Sequence, residues 1–374
     1  MFNMNRGHVA IFLASLTGGG VERVMLNVAQ GLVERGYTVD VVLQAAEGPY
    51  LTHVPDRVRI VDLGARRMAL ALLPLVSYMR RERPQSLIAA NTYANVIAVV
   101  AKKLARVQTR TVITEHIFLS ISTHNAESLR ERYLPLLAKR IYPWADDIIA
   151  VSEGVADDLA DTLALSRNRI KVIYNPVVTP EFFEKTREAV EQPWFQPSEP
   201  PVILGVGRLT KQKDFPTLLR AFALVRKRHP CRLVILGEGE DRSKLEALIS
   251  ELGMSEDVDM PGFVDNPYKY MAHAAVFALS SIWEGLPTVL IECLACGTPV
   301  VATDCPSGPR EILGGGKYGT LVPVEDVGAL AKALQRIIAK EGDVPMPQAE
   351  AWLPFTPDVV IPRYIDALQG QTRE

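Results

Sequence analysis

Two rhythms of apolar and polar positions alternate along this chain. Short apolar runs rich in β-branched residues read as strands, and between them lie longer segments whose apolar residues recur three and four apart, as on one face of a helix. The opening sets the plan: strand over His8–Ala14, a glycine-rich loop over Thr17–Gly20, helix over Val21–Arg35, a stop at Gly36 and strand over Thr38–Leu43. In that helix Val21, Val24, Met25, Val28, Leu32 and Val33 keep the helical spacing and mark its buried face. The plan returns after Pro201, with strand over Val202–Val206, loop over Gly207–Asp214, helix over Pro216–Arg228, a His229-Pro230 stop and strand over Arg232–Leu236. Each time about thirty residues separate successive strand starts, the length of a βαβ unit. The pattern predicts an α/β protein with parallel sheets, built from two Rossmann-like domains. Prolines crowd at 176, 180, 193, 197, 200 and 201, so a linker is expected near 180–200. A second soft stretch, Glu341–Pro357, precedes a last apolar segment over Val359–Leu368. The expected domains are 1–180, with 358–374 crossing back to it, and 181–357.

The length of 374 residues agrees with two domains of ordinary size. A net charge of −2 argues against a nucleic-acid binder. Four cysteines without crowded spacing are no disulfide scaffold and fit a reducing compartment. The run Val9–Leu16 is too short for a transmembrane helix and lacks a small-residue cleavage site, and Met68–Val76 is short and broken by Pro74, so a soluble, cytoplasmic protein is expected. Charge changes the picture when it is mapped. Residues 1–180 hold 21 Lys+Arg and 16 Asp+Glu, leaving 41 − 21 = 20 and 43 − 16 = 27 for the remainder. Between Gly64 and Arg140 there are 13 basic residues against 4 acidic ones, beside apolar positions. Such a face suits an anionic membrane surface, and it equally describes a set of ordinary solvated helix faces.

In open parallel sheets ligands bind at the carboxyl ends of strands, against loops and helix N-termini. Thr17-Gly18-Gly19-Gly20 follows the first strand and could admit a ligand to the main chain, or could simply be a tight turn. The loop Gly207–Asp214 carries Arg208, Lys211 and Lys213, a guanidinium fork and two mobile ammonium groups suited to a diphosphate. It lacks the third glycine of a dinucleotide fingerprint, and no segment satisfies the P-loop pattern. Ser280–Glu292 is the richest segment: a strand over Ala274–Leu279 runs into it, and Pro287 suits the first turn of a following helix. N–H groups from Thr288 onward would then face an anion. Glu284 could reach a sugar hydroxyl and Glu292 a ribose diol, although a capping acid and an exposed helix glutamate fit the same spacing. Cys293 and Cys296 read as packing residues, since one C-x-x-C is half a zinc site.

The Glu284 and Glu292 pair, with seven residues between, resembles the signature of the retaining glycosyltransferases of family 4, which have the GT-B fold of two Rossmann-like domains facing across a cleft. The likeness continues in order along the chain. Gly18-Gly19-Gly20-Val21-Glu22-Arg23 resembles the family's first loop, Thr114-Glu115-His116 its histidine motif and Tyr174-Asn175-Pro176 its approach to the linker. Val206-Gly207-Arg208-Leu209 with Lys213 resembles the phosphate-binding segment, and Gly262-Phe263-Val264 and Gly297–Ala302 fit later turns and strands. The resemblance implies a nucleotide diphosphate sugar as donor substrate, with no cofactor and no metal. Arg208 and Lys213 would neutralise the leaving diphosphate, and Glu292 would hold the ribose. The turn at Val264 would meet the base, while Glu284 with Gly285, Leu286, Pro287 and Thr288 would line the donor. His116 would contact the sugar or its phosphate, and Gly18, Gly19 and Gly20 would close over the diphosphate or acceptor. Arg310, in Ser307–Glu311, is either a donor contact or a surface charge.

Within that family the motifs look similar to those of bacterial enzymes that assemble surface or lipid-linked glycans, commonly from UDP-activated hexoses or N-acetylhexosamines. The resemblance therefore implies a glycan acceptor carried on a polyprenyl diphosphate, and the basic stretch implies peripheral association with the inner face of the plasma membrane. A sugar-nucleotide epimerase of the same fold, or a non-catalytic nucleotide-sugar-binding subunit, would share most of these features.

Overall fold

The computed structural model describes residues 6–124 and 129–371, so the outer ends of the expected first domain (1–5 and 372–374) and residues 125–128 of the basic stretch lie outside the described residues. The chain divides into two compact units, Met1–Val177 with Phe355–Glu374, and Val178–Pro354.

The first unit runs β1 (His8–Leu13), α1 (Gly20–Glu34), β2 (Thr38–Leu43), β3 (Val58–Asp62), α2 (Leu72–Glu82), β4 (Ser86–Ala90), α3 (Thr92–Ala105), β5 (Arg110–Glu115), α4 (Leu119–His124), α5 (Leu129–Ile141), β6 (Asp147–Ala150), α6 (Glu153–Leu163) and β7 (Ile170–Val172). Its strands form one parallel sheet in the order β3-β2-β1-β4-β5-β6-β7. A parallel strand is covered on both faces, and β1 shows this residue by residue. Val9, Ile11 and Leu13 pack with Val24, Met25, Val28 and Leu32 of α1, while Ala10 and Phe12 face Leu75 and Met79 of α2 on the other side. The segment Met68–Val76 divides into a 3-10 turn (Met68–Ala71) and the start of α2, where Pro74 lies in the first turn and has no helical hydrogen bond to lose.

The second unit runs α7 (Pro180–Lys185), β8 (Val202–Val206), α8 (Phe215–Arg226), β9 (Arg232–Leu236), α9 (Arg242–Glu251), β10 (Val258–Gly262), α10 (Tyr268–His273), β11 (Val276–Leu279), α11 (Thr288–Ala295), β12 (Val300–Thr303), α12 (Pro309–Ile312), β13 (Thr320–Val322), α13 (Val327–Ile338) and α14 (Ala349–Trp352). Its sheet is parallel throughout, in the order β10-β9-β8-β11-β12-β13. Asp214 caps α8 through its side chain, so that helix begins one residue before Pro216. Other element ends shift by a residue or two as well. Ala274 terminates α10, which delays the strand to Val276, and Pro287 is the residue before α11 with an extended ψ of 98°, so Thr288 opens the helix.

The last helix, α15 (Pro357–Gln369), belongs to the first unit. Val360, Ile361, Tyr364 and Leu368 complete the core on the α1 face of the sheet. Gly31 permits the approach: a Cβ there would lie 2.5 Å from Cγ1 of Ile361. The end of α15 is tied down by Ser86 Oγ donating to Leu368 O (3.0 Å) and Arg110 Nε donating to Ala367 O (2.8 Å).

In the same unit Asp40 of β2 is buried. Its carboxylate accepts from Arg59 Nε (2.9 Å) and the Tyr78 hydroxyl (2.6 Å) and lies 2.9 Å from His8 Nε2. Burial works to raise its pKa, but the bonds from His8, Arg59 and Tyr78 outweigh it and hold the carboxyl well below the usual range. A depressed carboxyl pKa stabilises the fold above the unfolded pKa and ceases to do so as pH falls through the folded one. Asp40→Asn should therefore lower unfolding free energy by about 2 kcal/mol at pH 7. In urea titrations the deficit should narrow only below about pH 4, where the unfolded carboxyl gains its proton.

Candidate functional site

In each sheet the crossover connections leave toward opposite faces at one place, between β1 and β4 in the first unit and between β8 and β11 in the second. Loops diverge there at the carboxyl ends of the strands and leave room for a ligand.

In the second unit the diverging loops are Gly207–Asp214 after β8 and Ser280–Pro287 after β11. They are tied to each other. Ile282 N donates to Gln212 O (2.8 Å), Gln212 Nε2 donates to Trp283 O (2.8 Å), and Ser280 Oγ donates to Lys213 O (2.7 Å). This stitching brings Lys213 Nζ to 2.5 Å from Glu284 Oε1, and Ser281 Oγ donates to the same oxygen at 2.6 Å. Ser281 is in turn held by Thr303 Oγ1, which donates to its carbonyl (2.5 Å). The largely buried carboxylate thus has an ammonium and a hydroxyl on one oxygen, a geometry in which charge-assisted bonds are strong. Gly285, Leu286 and Pro287 are buried beside it, and α11 begins immediately after, with first-turn N–H groups that have no acceptor within the helix.

The other expected residues of this unit fall around that pair. Arg208 is exposed in the β8 loop. Glu292 is buried on α11, as its fifth residue. Val264 lies two residues beyond Gly262, the last residue of β10. Arg310 is exposed and forms a two-pronged pair with Asp304, one bond of 3.0 Å. Cys293 is fully buried and Cys296 partly so. Among the described residues no group of three or more His, Cys, Asp and Glu side chains has metal-holding geometry.

The sequence reading missed the support beneath the β8 loop. Leu209 N donates to Glu238 O (2.9 Å), and Gly237 N to Gly262 O (2.8 Å), so the turn after β9 carries the loops on both sides of it. Gly237 has φ 137°, and a Cβ there would lie 2.0 Å from Gly207 O. The signal available was the Gly237-Glu238-Gly239 triplet at a strand's carboxyl end.

In the first unit Gly18, Gly19 and Gly20 lie between β1 and α1, with Gly18 at φ 105°. Arg23 in the first turns of α1 donates to Tyr50 OH (2.7 Å). His116 follows β5 and is 7% exposed. The one hydrogen of Thr114 Oγ1 goes to Ala89 O (3.1 Å), so this oxygen accepts from His116 Nε2 (3.0 Å). That network puts the ring proton on Nε2 and leaves Nδ1 as an acceptor. Burial pushes the imidazole pKa down to about 3, so His116 is neutral at physiological pH and carries no charge toward a phosphate. The neighbouring Glu115, given no role in the sequence reading, is fully buried, and burial pushes its carboxyl up to about 7 against hydrogen bonds from Tyr142, Asn95 and Thr92.

Two Rossmann-like units of this kind are the parts of the GT-B fold, and the solved structures agree in fold. The fold matches HepE of Anabaena in complex with UDP-glucose at TM-score 0.78, with 22% identity over 98% of this chain and all of that one. Family models match in both units: "Glycosyltransferase Family 4" over residues 18–180 and "Glycosyl transferases group 1" over residues 186–352. One curated relative, the N-acetylgalactosamine-N,N'-diacetylbacillosaminyl-diphospho-undecaprenol 4-alpha-N-acetylgalactosaminyltransferase of Campylobacter jejuni, is 32% identical over 342 residues, 88% of this chain and 90% of its own. Another, the lipopolysaccharide core biosynthesis glycosyltransferase LpsE of Rhizobium meliloti, is 29% identical over 86% of each chain. The chain belongs to glycosyltransferase family 4, and it is a glycosyltransferase.

The support beneath the β8 loop is testable. Gly237→Ala should drive the Gly207 carbonyl aside and cost about 2 kcal/mol or more in urea unfolding. Gly253→Ala, also at positive φ but with open space around its Cβ, should cost less. Equal losses would mean that backbone conformation alone, and not contact with the loop, governs Gly237.

Proposed function

We propose that this glycosyltransferase moves a hexose or N-acetylhexosamine from a UDP-sugar to a glycan carried on a polyprenyl diphosphate, with retention of anomeric configuration and without a metal ion, in bacterial surface polysaccharide or glycoconjugate synthesis. The observation that carries the reading is the Lys213–Glu284 pair at the point where the second sheet's loops diverge, directly ahead of α11. The lipid-linked substrate in the Campylobacter relative's name supports the acceptor class, and the UDP-glucose in the Anabaena structure supports the donor class.

The chemistry follows from the charges. Breaking the bond between sugar and diphosphate builds negative charge on the leaving oxygen, and groups already aimed at that charge lower the barrier. Without donor, Lys213 rests on Glu284. A bound diphosphate gives the ammonium a second anion, and Glu284 then has an oxygen for a sugar hydroxyl. Exposed Arg208 and the N–H groups at Thr288 add to the neutralisation of the leaving group, which is what a metal supplies in other enzymes. Glu292 accepts from the ribose diol, and the Val264 turn offers backbone to the base. Neutral His116 presents Nδ1 to a hydroxyl of a sugar substrate rather than a cation to phosphate. Gly18, Gly19 and Gly20 leave main-chain N–H groups accessible to substrate oxygens.

Association with the inner face of the plasma membrane as a peripheral, cytoplasmic protein is part of this proposal. No helix among the described residues is long and apolar enough to cross a membrane. On α5 and the turn after it Tyr133, Leu136, Leu137 and Trp144 are 63%, 54%, 46% and 48% exposed, while Leu134, Ala138 and Ile141 are buried. Arg132, Lys139 and Arg140 are exposed between them, and no acidic residue occurs from Arg132 to Ala145. Apolar side chains facing outward among cations suit the headgroup layer of an anionic bilayer, each cation contributing about 1 kcal/mol near the surface.

A panel of nucleotide sugars, with and without lipid extract, tests the reaction. Release of UDP that needs the extract, and that falls by about a hundredfold or more in Lys213→Ala and Glu284→Gln, is expected. Conversion of one sugar nucleotide into its epimer without release would replace the proposal with the epimerase reading, and binding of UDP-sugar without either product would leave a binding subunit. For the membrane, sedimentation with vesicles containing anionic lipid should carry the protein down. The Leu136→Glu, Leu137→Glu double variant should bind about tenfold or more weakly. Wild-type protein that stays in the supernatant would refute the association.

A further inference from the structure

Glu115 ends β5 with its side chain fully buried, and three donors from two other elements converge on it. Thr92 Oγ1 donates to Oε2 (3.2 Å) and Asn95 Nδ2 to Oε1 (3.0 Å), both from the first turn of α3, and the Tyr142 hydroxyl donates to Oε1 from the turn after α5. Asn95 Nδ2 also donates to the carbonyl of Thr114 (2.9 Å), the residue whose hydroxyl accepts from His116. The titratable and charged neighbours on the surrounding elements are Tyr142, the α6 carboxylate of Asp158 and the neutral His116, so among the described residues no cation pairs with the carboxylate. One buried polar atom in the cluster has no partner: Asn95 Oδ1.

We propose that Glu115 is a positioning residue whose ionised carboxylate, acting through Asn95 and Thr114, fixes the His116 imidazole, and that a proton on Glu115 releases it. The ionised carboxylate needs only donors, and three are present. A protonated carboxyl brings a hydrogen that needs an acceptor, and Asn95 Oδ1 is the buried acceptor left over. Rotating the Asn95 amide to meet it withdraws Nδ2 from the Thr114 carbonyl, and the strand end that carries His116 loses a tie. With burial holding the carboxyl near neutrality, the two hydrogen-bond patterns exchange within the physiological pH range. The functional consequence rests on the reading of His116 as a contact to a sugar substrate.

Proton–nitrogen spectra of the histidine rings, recorded from pH 5.5 to pH 8.5 on the full chain, test the coupling without reference to activity. The His116 ring should stay neutral with its proton on Nε2, yet its signals should shift with a midpoint near pH 7. Glu115→Gln should abolish that step. Tyr142→Phe, a milder change that keeps the carboxyl, removes a hydrogen bond to the charged form and should move the midpoint to higher pH. A His116 signal that does not move, or that moves unchanged in Glu115→Gln, would overturn the proposal. Turnover separates the reading on which it rests. Wild type should lose kcat below pH 7, with KM for donor nearly constant, and Glu115→Gln should show at pH 8 the reduced kcat that wild type shows at pH 6. A ring shift with no matching limb in kcat would leave the coupling standing and refute His116 as a substrate contact.

Discussion

A parallel sheet cannot leave a face in water, because its strands are apolar on both sides, and this constraint organises the whole molecule. Helices must cover both faces, so successive crossovers must at some point change sides. In each unit this happens once, between β1 and β4 and between β8 and β11. The chemistry-bearing loops are there for that reason: Gly18–Gly20 beside the start of α3 in one unit, Lys213 beside Glu284 in the other. Val9, Ile11 and Leu13 on one side of β1 and Ala10 and Phe12 on the other are thus as much a condition of the site as the charged residues themselves.

The two buried glutamates show how environment divides one residue type between two tasks. Glu284 has an ammonium within 2.5 Å and a serine hydroxyl at 2.6 Å, so its charge is balanced and its position set by two loops that are themselves hydrogen-bonded together. Glu115 has only neutral donors and the like charge of Asp158, and burial governs its protonation. The same side chain is a ready ligand partner in one setting and a proton-sensitive tie in the other. His116 adds a third case: with no anion to favour its cation, burial alone keeps the ring neutral and turns it into a hydrogen-bond acceptor.

Much of this was legible in the sequence where the signal was local. The bounds of β2, β8 and β9 agree with the expected strands, and the apolar runs of β8 and β9 end abruptly at Gly207 and Gly237. The helix starts moved by a residue where caps decide them, as at Asp214 and Pro287. Lys213 and Glu284 could be picked out because each follows a strand at short range, but their bond could not, since it depends on β8 and β11 being neighbours across seventy residues of chain. Glu115 gave no sign beyond a charge at the end of an apolar strand; its partners come from residues 92, 95 and 142, and only folding brings them together. Helix α5 was opaque for another reason. Its leucines fall at helical spacing, and spacing does not say which side of a helix is inside.

The passage of α15 back to the first unit has a consequence for the order in which the protein is made. Everything from Val178 to Pro354 is an insertion within the first unit, whose core still lacks Ile361, Tyr364 and Leu368 when that insertion has been synthesised. A nascent chain therefore holds a first unit whose core on the α1 side is incomplete, with Gly31 of α1 still lacking its partner Ile361, for the whole time the ribosome spends on the second unit, which has all of its own segments and can fold first. The unit begun earlier is the one finished later, and during that interval the apolar surface that α15 will cover is the part of the molecule that a chaperone would meet.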